Sequence, residues 1–438
     1  MIDRIVILND LSTPKGGASQ LAINSAISFA ERGHSVVLIS GDGANAQLQS
    51  RGVVHLGLGQ ERLLDNPLVG AVRGIYNQDA AQMVERWVEQ NDSPGTVYHL
   101  HGWSQILSSS LFRALRNVRG RLIMTAHDFF LTCPNGAQFD YVAAQPCHRR
   151  PLGAACLTAR CDRRNQAHKI WRTARQLVQR HLLSDGELPP QLLIHRAMAP
   201  YFAKAGVDES NMFVLPNPVT AYCRERVAAE SNREVLFVGR IESTKGIDLA
   251  AQACRRAGLK LTAIGDGAML EQMRALYPEA DFVGRVPNDE IGAYARRARM
   301  LVMPSRHMEP FGLSAVEALW SGIPVLSSSH SLIAQDIAET GAGLSIDISD
   351  ADALASAVKQ LAASDELVRR MSIAAYSATR HLALSPDAWI DALISAYLAL
   401  LDGQRTALAA ACNEWMRVAS HSPKLSKNLA TRSLVGVA

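Results

Sequence analysis

Glu309 and Glu317 bracket a Pro-Phe-Gly-Leu turn in the stretch Ser305-Arg-His-Met-Glu309-Pro-Phe311-Gly312-Leu313-Ser314-Ala-Val-Glu317-Ala-Leu-Trp-Ser-Gly322-Ile-Pro324. A helix that opens straight after a glycine turn offers unpaired backbone N–H groups and the positive end of a dipole, which together suit a phosphate. One acid before that anion site and one after it could hold the hydroxyl groups on either side of a diphosphate. Ser314-Ala-Val-Glu317 also fits a capping box, in which Glu317 would serve the helix start alone. Upstream, Val238-Gly239-Arg240-Ile-Glu242-Ser-Thr-Lys245-Gly246 carries an arginine and a lysine on a strand-to-helix loop. Two such cations can converge on one diphosphate and stabilise the charge that develops on a departing nucleotide. Most arginines and lysines are instead solvated surface charges.

Smaller signals surround these two. Pro14-Lys15-Gly16-Gly17-Ala18 lets the backbone approach a ligand closely, with the start of a helix aimed at negative charge. Ile264-Gly265-Asp266-Gly267 and Phe282-Val-Gly284-Arg-Val286 are glycine turns after strands, a common feature of loops. His99-Leu-His101 and Thr125-Ala-His127-Asp128 put histidines at strand ends, where a structural role is the commoner one. Cys133, Cys147, Cys156 and Cys161 cluster in a loop-rich insert and suggest a structural zinc site, although none forms a close Cys-x2-Cys pair. From His148-Arg-Arg150 to Arg180-His181 the chain is densely basic around Trp171. Such a face could lie on anionic lipid or simply be solvated.

The elements that must position these residues follow a repeated rhythm. Ile5–Leu8, Val36–Ile39, Val97–Leu100 and Leu122–Thr125 read as buried parallel strands, with a helix over 18–32 after the first. After Leu215-Pro-Asn-Pro-Val219 the rhythm restarts. Strands are expected at 235–238, 261–264, 281–283, 300–303 and 324–326, with helices near 246–257, 268–276, 289–298 and 314–321. The fold class is therefore α/β, with two doubly wound Rossmann-like domains whose facing loops form a cleft. Residues 1–216 form the first domain, with the cysteine-containing insert at about 133–165, and 217–385 the second. Residues 386–402 are expected as a helix crossing back to the first domain, and 403–438 as an extension ending in unpatterned, disordered chain.

At 438 residues two domains are the default, and 48% hydrophobic with 20% charged residues is a globular composition. A net charge of +4 argues against a dedicated nucleic-acid binder. No apolar run reaches spanning length, and Asp3 and Arg4 spoil a signal peptide, so a cytoplasmic protein is expected. Gly41-Asp-Gly43-Ala-Asn-Ala46 matches a dinucleotide fingerprint, but it follows the second strand, not the first, which disfavours a nicotinamide enzyme. Asp350-Ala-Asp352 reads as a helix start before Leu354 more readily than as a metal-binding pair.

Taken in order, Gly239-Arg240…Lys245-Gly246, Gly265, Val286 and the Glu309-x7-Glu317 element resemble the family 4 glycosyltransferases, retaining enzymes of GT-B fold. The similarity runs strongly over 215–347 and moderately over 5–127. It implies transfer of a hexosyl unit from a nucleotide diphosphate sugar (UDP- or GDP-linked) to a glycan or lipid-linked acceptor, in cell-surface polysaccharide or glycoconjugate synthesis. It implies that Arg240 and Lys245 neutralise the diphosphate, aided by the amides at Phe311, Gly312 and Leu313. Glu317 would hold the ribose and Glu309 the donor sugar, with His127 and His101 at the sugar site and Gly16 and Gly17 facing the phosphates. Gly265 and Val286 would approach the nucleotide. No cofactor is required for that chemistry, and zinc, if bound, would only staple the insert. Peripheral membrane contact is expected, nucleic acid is not. A nucleotide-sugar 2-epimerase and a non-catalytic sugar-nucleotide binder are the alternatives.

Overall fold

The computed structural model describes residues 1–63, 65, 67–350 and 352–420. Two parallel sheets organise the chain. The first holds seven strands: β1 (Arg4–Asn9), β2 (Val36–Ser40), β3 (Val54–Gly57), β4 (Thr96–Leu100), β5 (Leu122–Ala126), β8 (Gln191–Leu193) and β9 (Met212–Val214), in the order β3-β2-β1-β4-β5-β8-β9. Between β5 and β8 a small antiparallel ladder, β6 (Phe139–Asp140) with β7 (Gln145–Pro146), marks the cysteine insert. The second sheet holds β10 (Glu234–Val238), β11 (Leu261–Ile264), β12 (Asp281–Gly284), β13 (Ala298–Met303), β14 (Val325–Ser328) and β15 (Gly343–Ile346), in the order β12-β11-β10-β13-β14-β15.

The central strands are apolar runs because helices cover both faces of a parallel sheet. β2, β4, β5 and β13 are buried along their whole length. Each sheet reverses its winding at the first strand of its lobe. The chain order turns between β1 and β4 in one and between β10 and β13 in the other. Loops diverge at such switch points and leave a crevice at the carboxyl ends of the strands. β3, β8, β9 and β15 add to the strands expected from the sequence. They are three or four residues long and carry little alternation of their own.

Helix Pro386–Leu401 returns from the second lobe to the first. It starts with Ser385 as N-cap, whose side chain accepts from Ala388 N–H, and has proline in its first turn. Its Trp389, Ile390, Leu393 and Tyr397 are buried in one cluster with Ile5, Ile7, Phe29 and Leu38 of the first sheet. Arg32 grips the same helix from outside through Asp387 (3.0 Å) and Asp391 (2.5 Å). The extension expected beyond 402 begins as a helix, Arg405–Ser420, and the expectation of disorder over 423–438 lies outside the described residues. Among the described residues no helix is long and apolar enough to cross a membrane.

Candidate active site

The second lobe builds its site where β10 and β13 end side by side. Strand β10 delivers Gly239 and Arg240, and Ser243–Lys245 then forms one turn of 3-10 helix. Gly246 closes that turn at φ +71°, and a Cβ there would lie 2.0 Å from the Pro304 carbonyl. Only glycine allows that approach. The loop is thereby pressed against the chain leaving β13, and the Lys245 ammonium bonds the Glu309 carboxylate. Burial alone would raise the Glu309 carboxyl, but the Lys245 charge outweighs it and holds the group at about 2. Arg240 is 58% exposed into the cleft and rests on Glu242 at 2.9 Å.

Gly312, at φ +80°, is the N-cap of helix Leu313–Trp320 and no side chain caps that end. The capping-box alternative therefore fails, since Ser314 lies inside the helix and Glu317 a full turn beyond its start. Glu317 meets the Tyr222 hydroxyl instead; burial lifts its carboxyl to about 7, with the tyrosine bond opposing the rise. The N–H groups at the mouth of this uncapped helix face the cleft through Phe311, Gly312 and Leu313.

The first lobe contributes the other wall. Gly16 and Gly17 open helix Gly17–Glu31, and a Cβ on Gly17 would stand 3.2 Å from Leu313 Cδ1 of the opposite lobe. Arg285 of the second lobe donates to the Pro14 carbonyl at 3.4 Å, beside the same loop. Behind these, His101 Nδ1 and His127 Nε2 share a hydrogen bond of 3.0 Å with their rings stacked. His99 lies deeper, with its Nδ1 on the Tyr397 hydroxyl (2.6 Å) and its Nε2 on Thr125 (2.7 Å). Burial pushes all three imidazoles down, His127 to about 4 and His99 to about 3.

These walls enclose one cleft of about 1760 Å³ between the lobes. Gly16, Gly17, His127, Arg240, Lys245, Gly265 and Val286 line it, together with Glu309, Phe311, Gly312, Leu313 and Glu317. His101 does not line it; it is buried behind His127. Tyr222 and Arg285 line it too and were not anticipated. Tyr222 sits in the inter-lobe linker region with no motif around it, and in the sequence Arg285 stands out only as part of a glycine turn. The arrangement offers two cations, an uncapped helix mouth and two carboxylates to one elongated anion carrying hydroxyl groups at both ends.

The cysteine insert packs its thiols around Lys169. Cys133, Cys147, Cys156 and Cys161 are all buried and free. Among the described residues no group of three or more histidine, cysteine, aspartate or glutamate side chains is placed to hold a metal ion. The Lys169 ammonium, buried with them, donates to Cys156 Sγ at 3.5 Å, and a cation among the sulfurs repels a second one. Arg149 donates to Cys147 (3.7 Å) and Asn135 to Cys161 (3.8 Å), so three of the four sulfurs accept from a polar side chain. Asp350 and Asp352 sit at the start of helix Ala353–Ala363, where Asp350 accepts from Asp352 N–H and Arg256 pairs with Asp352.

Residues 221–378 match the family described as glycosyl transferases group 1. The glycogen synthase of Mycobacterium tuberculosis is 33% identical over 153 residues, 32% of this chain and 37% of that protein. The GDP-mannose-dependent alpha-mannosyltransferase of Mycolicibacterium smegmatis is 29% identical over 247 residues, 55% of this chain and 63% of that protein. The chain thus spans between about a third and two thirds of the length of these relatives. The Anabaena protein Alr3699/HepE, solved in complex with UDP, superposes with a TM-score of 0.64 at 15% identity, covering 90% of this chain and 99% of that one. That likeness extends over both lobes and shows the fold. With the family match confined to the lobe of Arg240, Lys245, Glu309 and Glu317, and two facing parallel sheets, residues 221–378 are similar to the group 1 glycosyl transferases and the chain has the GT-B architecture.

Proposed function

We propose that this protein is a retaining glycosyltransferase that moves a hexosyl unit from a nucleotide diphosphate sugar to a glycan or lipid-linked acceptor. One observation carries the proposal: Arg240, Lys245 and the uncapped helix mouth at Gly312 converge on the cleft between Glu309 and Glu317. A diphosphate fits that convergence, with Glu317 toward the ribose and Glu309 toward the sugar. Lys245 is paired with Glu309, so donor binding exchanges partners: the ammonium turns to phosphate and the carboxylate to sugar hydroxyls. As the bond from the anomeric carbon to the phosphate oxygen breaks, negative charge grows on the diphosphate, where the two cations stabilise it. The acceptor oxygen bonds the anomeric carbon on the same face, and its proton passes to the departing phosphate oxygen. His127 borders the sugar from the first lobe. The chemistry needs no metal or other cofactor.

The acceptor would enter from the first lobe. Helix Gln166–Ser184 turns Ile170 (64% exposed) and Leu177 (53% exposed) outward beside the exposed Arg163, Arg164 and Arg180. An apolar stripe flanked by cations suits an anionic bilayer, which supports peripheral contact at the inner membrane face during polysaccharide or glycoconjugate synthesis.

The test is incubation with a panel of UDP-, GDP- and ADP-sugars. Thermal stabilisation by one donor, release of its nucleotide only when acceptor is present, and an unchanged anomeric configuration in the product are expected. Isomerisation of the sugar without acceptor would make the protein an epimerase, and saturable binding without turnover would make it a sugar-nucleotide binder.

A further inference from the structure

We propose that His101 is a positioning residue that fixes the ring tautomer of His127, so that His127 presents an N–H to an oxygen of the donor sugar. The contact with sugar rests on the function proposed above; the tautomer does not.

The two imidazoles share a single hydrogen bond, His101 Nδ1 to His127 Nε2 at 3.0 Å, so one nitrogen donates and the other accepts. The rest of His101 decides which. The ring is 3% exposed and its Nε2 has no hydrogen-bond partner. If the His101 proton sat on Nε2, the interior would hold an orphan N–H. If it sits on Nδ1, only a bare lone pair is left, and unpaired buried acceptors are tolerated better than unpaired donors. His101 therefore carries its proton on Nδ1 and donates to His127 Nε2. His127 is left with its own proton on Nδ1, an atom with no hydrogen bond to any described residue, on a ring that lines the cleft. Burial keeps both rings neutral near pH 7, so neither supplies a second proton that would blur the choice.

His99 cannot take over this role, because both its nitrogens are engaged, by Tyr397 and Thr125. Its ring packs on His101 with centroids 4.0 Å apart and holds the plane of the His101 ring. An imidazole offering N–H beside the donor pocket acts as a hydrogen-bond donor to a sugar oxygen, not as a base for the acceptor hydroxyl. That fits a transfer in which the leaving phosphate receives the proton.

The experiment is 15N NMR of histidine-labelled protein, with the His127 signals assigned by their loss in His127→Asn. In the wild type His127 Nδ1 should show the protonated shift and Nε2 the unprotonated one. His101→Asn places an amide donor where Nδ1 stood and should keep both the tautomer and kcat within severalfold. His101→Phe removes the donor; kcat should fall about 100-fold, the scale of one lost transition-state hydrogen bond, with KM little changed. A wild-type His127 protonated on Nε2 overturns the proposal, as does an equal loss in the Asn and Phe variants. Should His101→Phe fail to fold, the wild-type spectrum still decides. If no nucleotide sugar is turned over, the function proposed above falls while the spectrum still tests the tautomer.

Discussion

Lys245→Met and Glu309→Gln, made singly and together, test whether the donor site is held by an internal charge pair. Lys245 is 20% and Glu309 16% exposed, so the pair is largely withdrawn from water. The Glu309 carboxyl is displaced from 4.5 to about 2, and at about 1.4 kcal/mol per pK unit this corresponds to roughly 3 kcal/mol of stabilisation. Because the group is depressed, that stabilisation is complete above pH 4.5 and disappears as pH falls through about 2. Lys245→Met strands a buried carboxylate and should cost about 3–5 kcal/mol at pH 7.5, a loss of roughly 6–20 °C in the melting of the second lobe. Glu309→Gln removes the charge together with its partner interaction and should cost less. The double variant should be more stable than Lys245→Met alone, with a coupling of about 2–3 kcal/mol from urea unfolding. Additivity within about 0.5 kcal/mol would refute the coupling. Turnover discriminates stability from chemistry: all three variants should lose at least about 100-fold in kcat/KM, and the double variant should not recover activity as it recovers stability.

Further outcomes follow from the same geometry. Glu317 is an acid whose carboxyl is raised, so it opposes folding increasingly above pH 4.5 and fully above about 7. Glu317→Gln should therefore stabilise the protein at pH 8, by at most about 3 kcal/mol, with little change near pH 4.5, while nucleotide affinity falls. Denaturation at the two pH values checks this; equal effects at both would contradict it. Arg240→Ala should leave stability within about 0.5 kcal/mol, since the guanidinium is exposed, yet weaken UDP or GDP binding in calorimetry about tenfold or more. Unchanged affinity would remove Arg240 from the diphosphate site. Tyr397→Phe deprives buried His99 of a partner and should cost about 1–3 kcal/mol without altering nucleotide affinity.

Much of this architecture could be read from the chain because each lobe repeats a short apolar strand, a glycine-bearing loop and a helix. The helix expected over 386–402 is observed at Pro386–Leu401, since Ser385 caps it and Pro386 starts it. Short strands such as β8 and β9 could not be read, because three buried residues carry no period. The residues of the cleft were visible as types at loop positions, whereas their pairings were not. Lys245 reaches Glu309 across 64 positions, and Tyr222 reaches the helix of Glu317 across more than 90. Local spacing cannot encode such contacts. His101 and His127 lie at the ends of neighbouring strands β4 and β5, so the strand order, once known, brings them together. The surroundings of the cysteines were hidden for a related reason. Their clustering was legible, but the lysine that comes to stand among them lies eight positions after the last one, in a different element.

The returning helix Pro386–Leu401 imposes a schedule on synthesis. Ile5, Ile7 and Phe29 emerge from the ribosome long before the side chains that shield them, Trp389 to Tyr397, are made. Until then the amino-terminal lobe carries a bare greasy flank, the kind of surface that attracts chaperones or other nascent chains. A chain cut after residue 385 would keep every residue of the second sheet and still leave the first one unfinished. Dissecting this molecule into stable halves would therefore require grafting the helix Pro386–Leu401 back onto the first lobe.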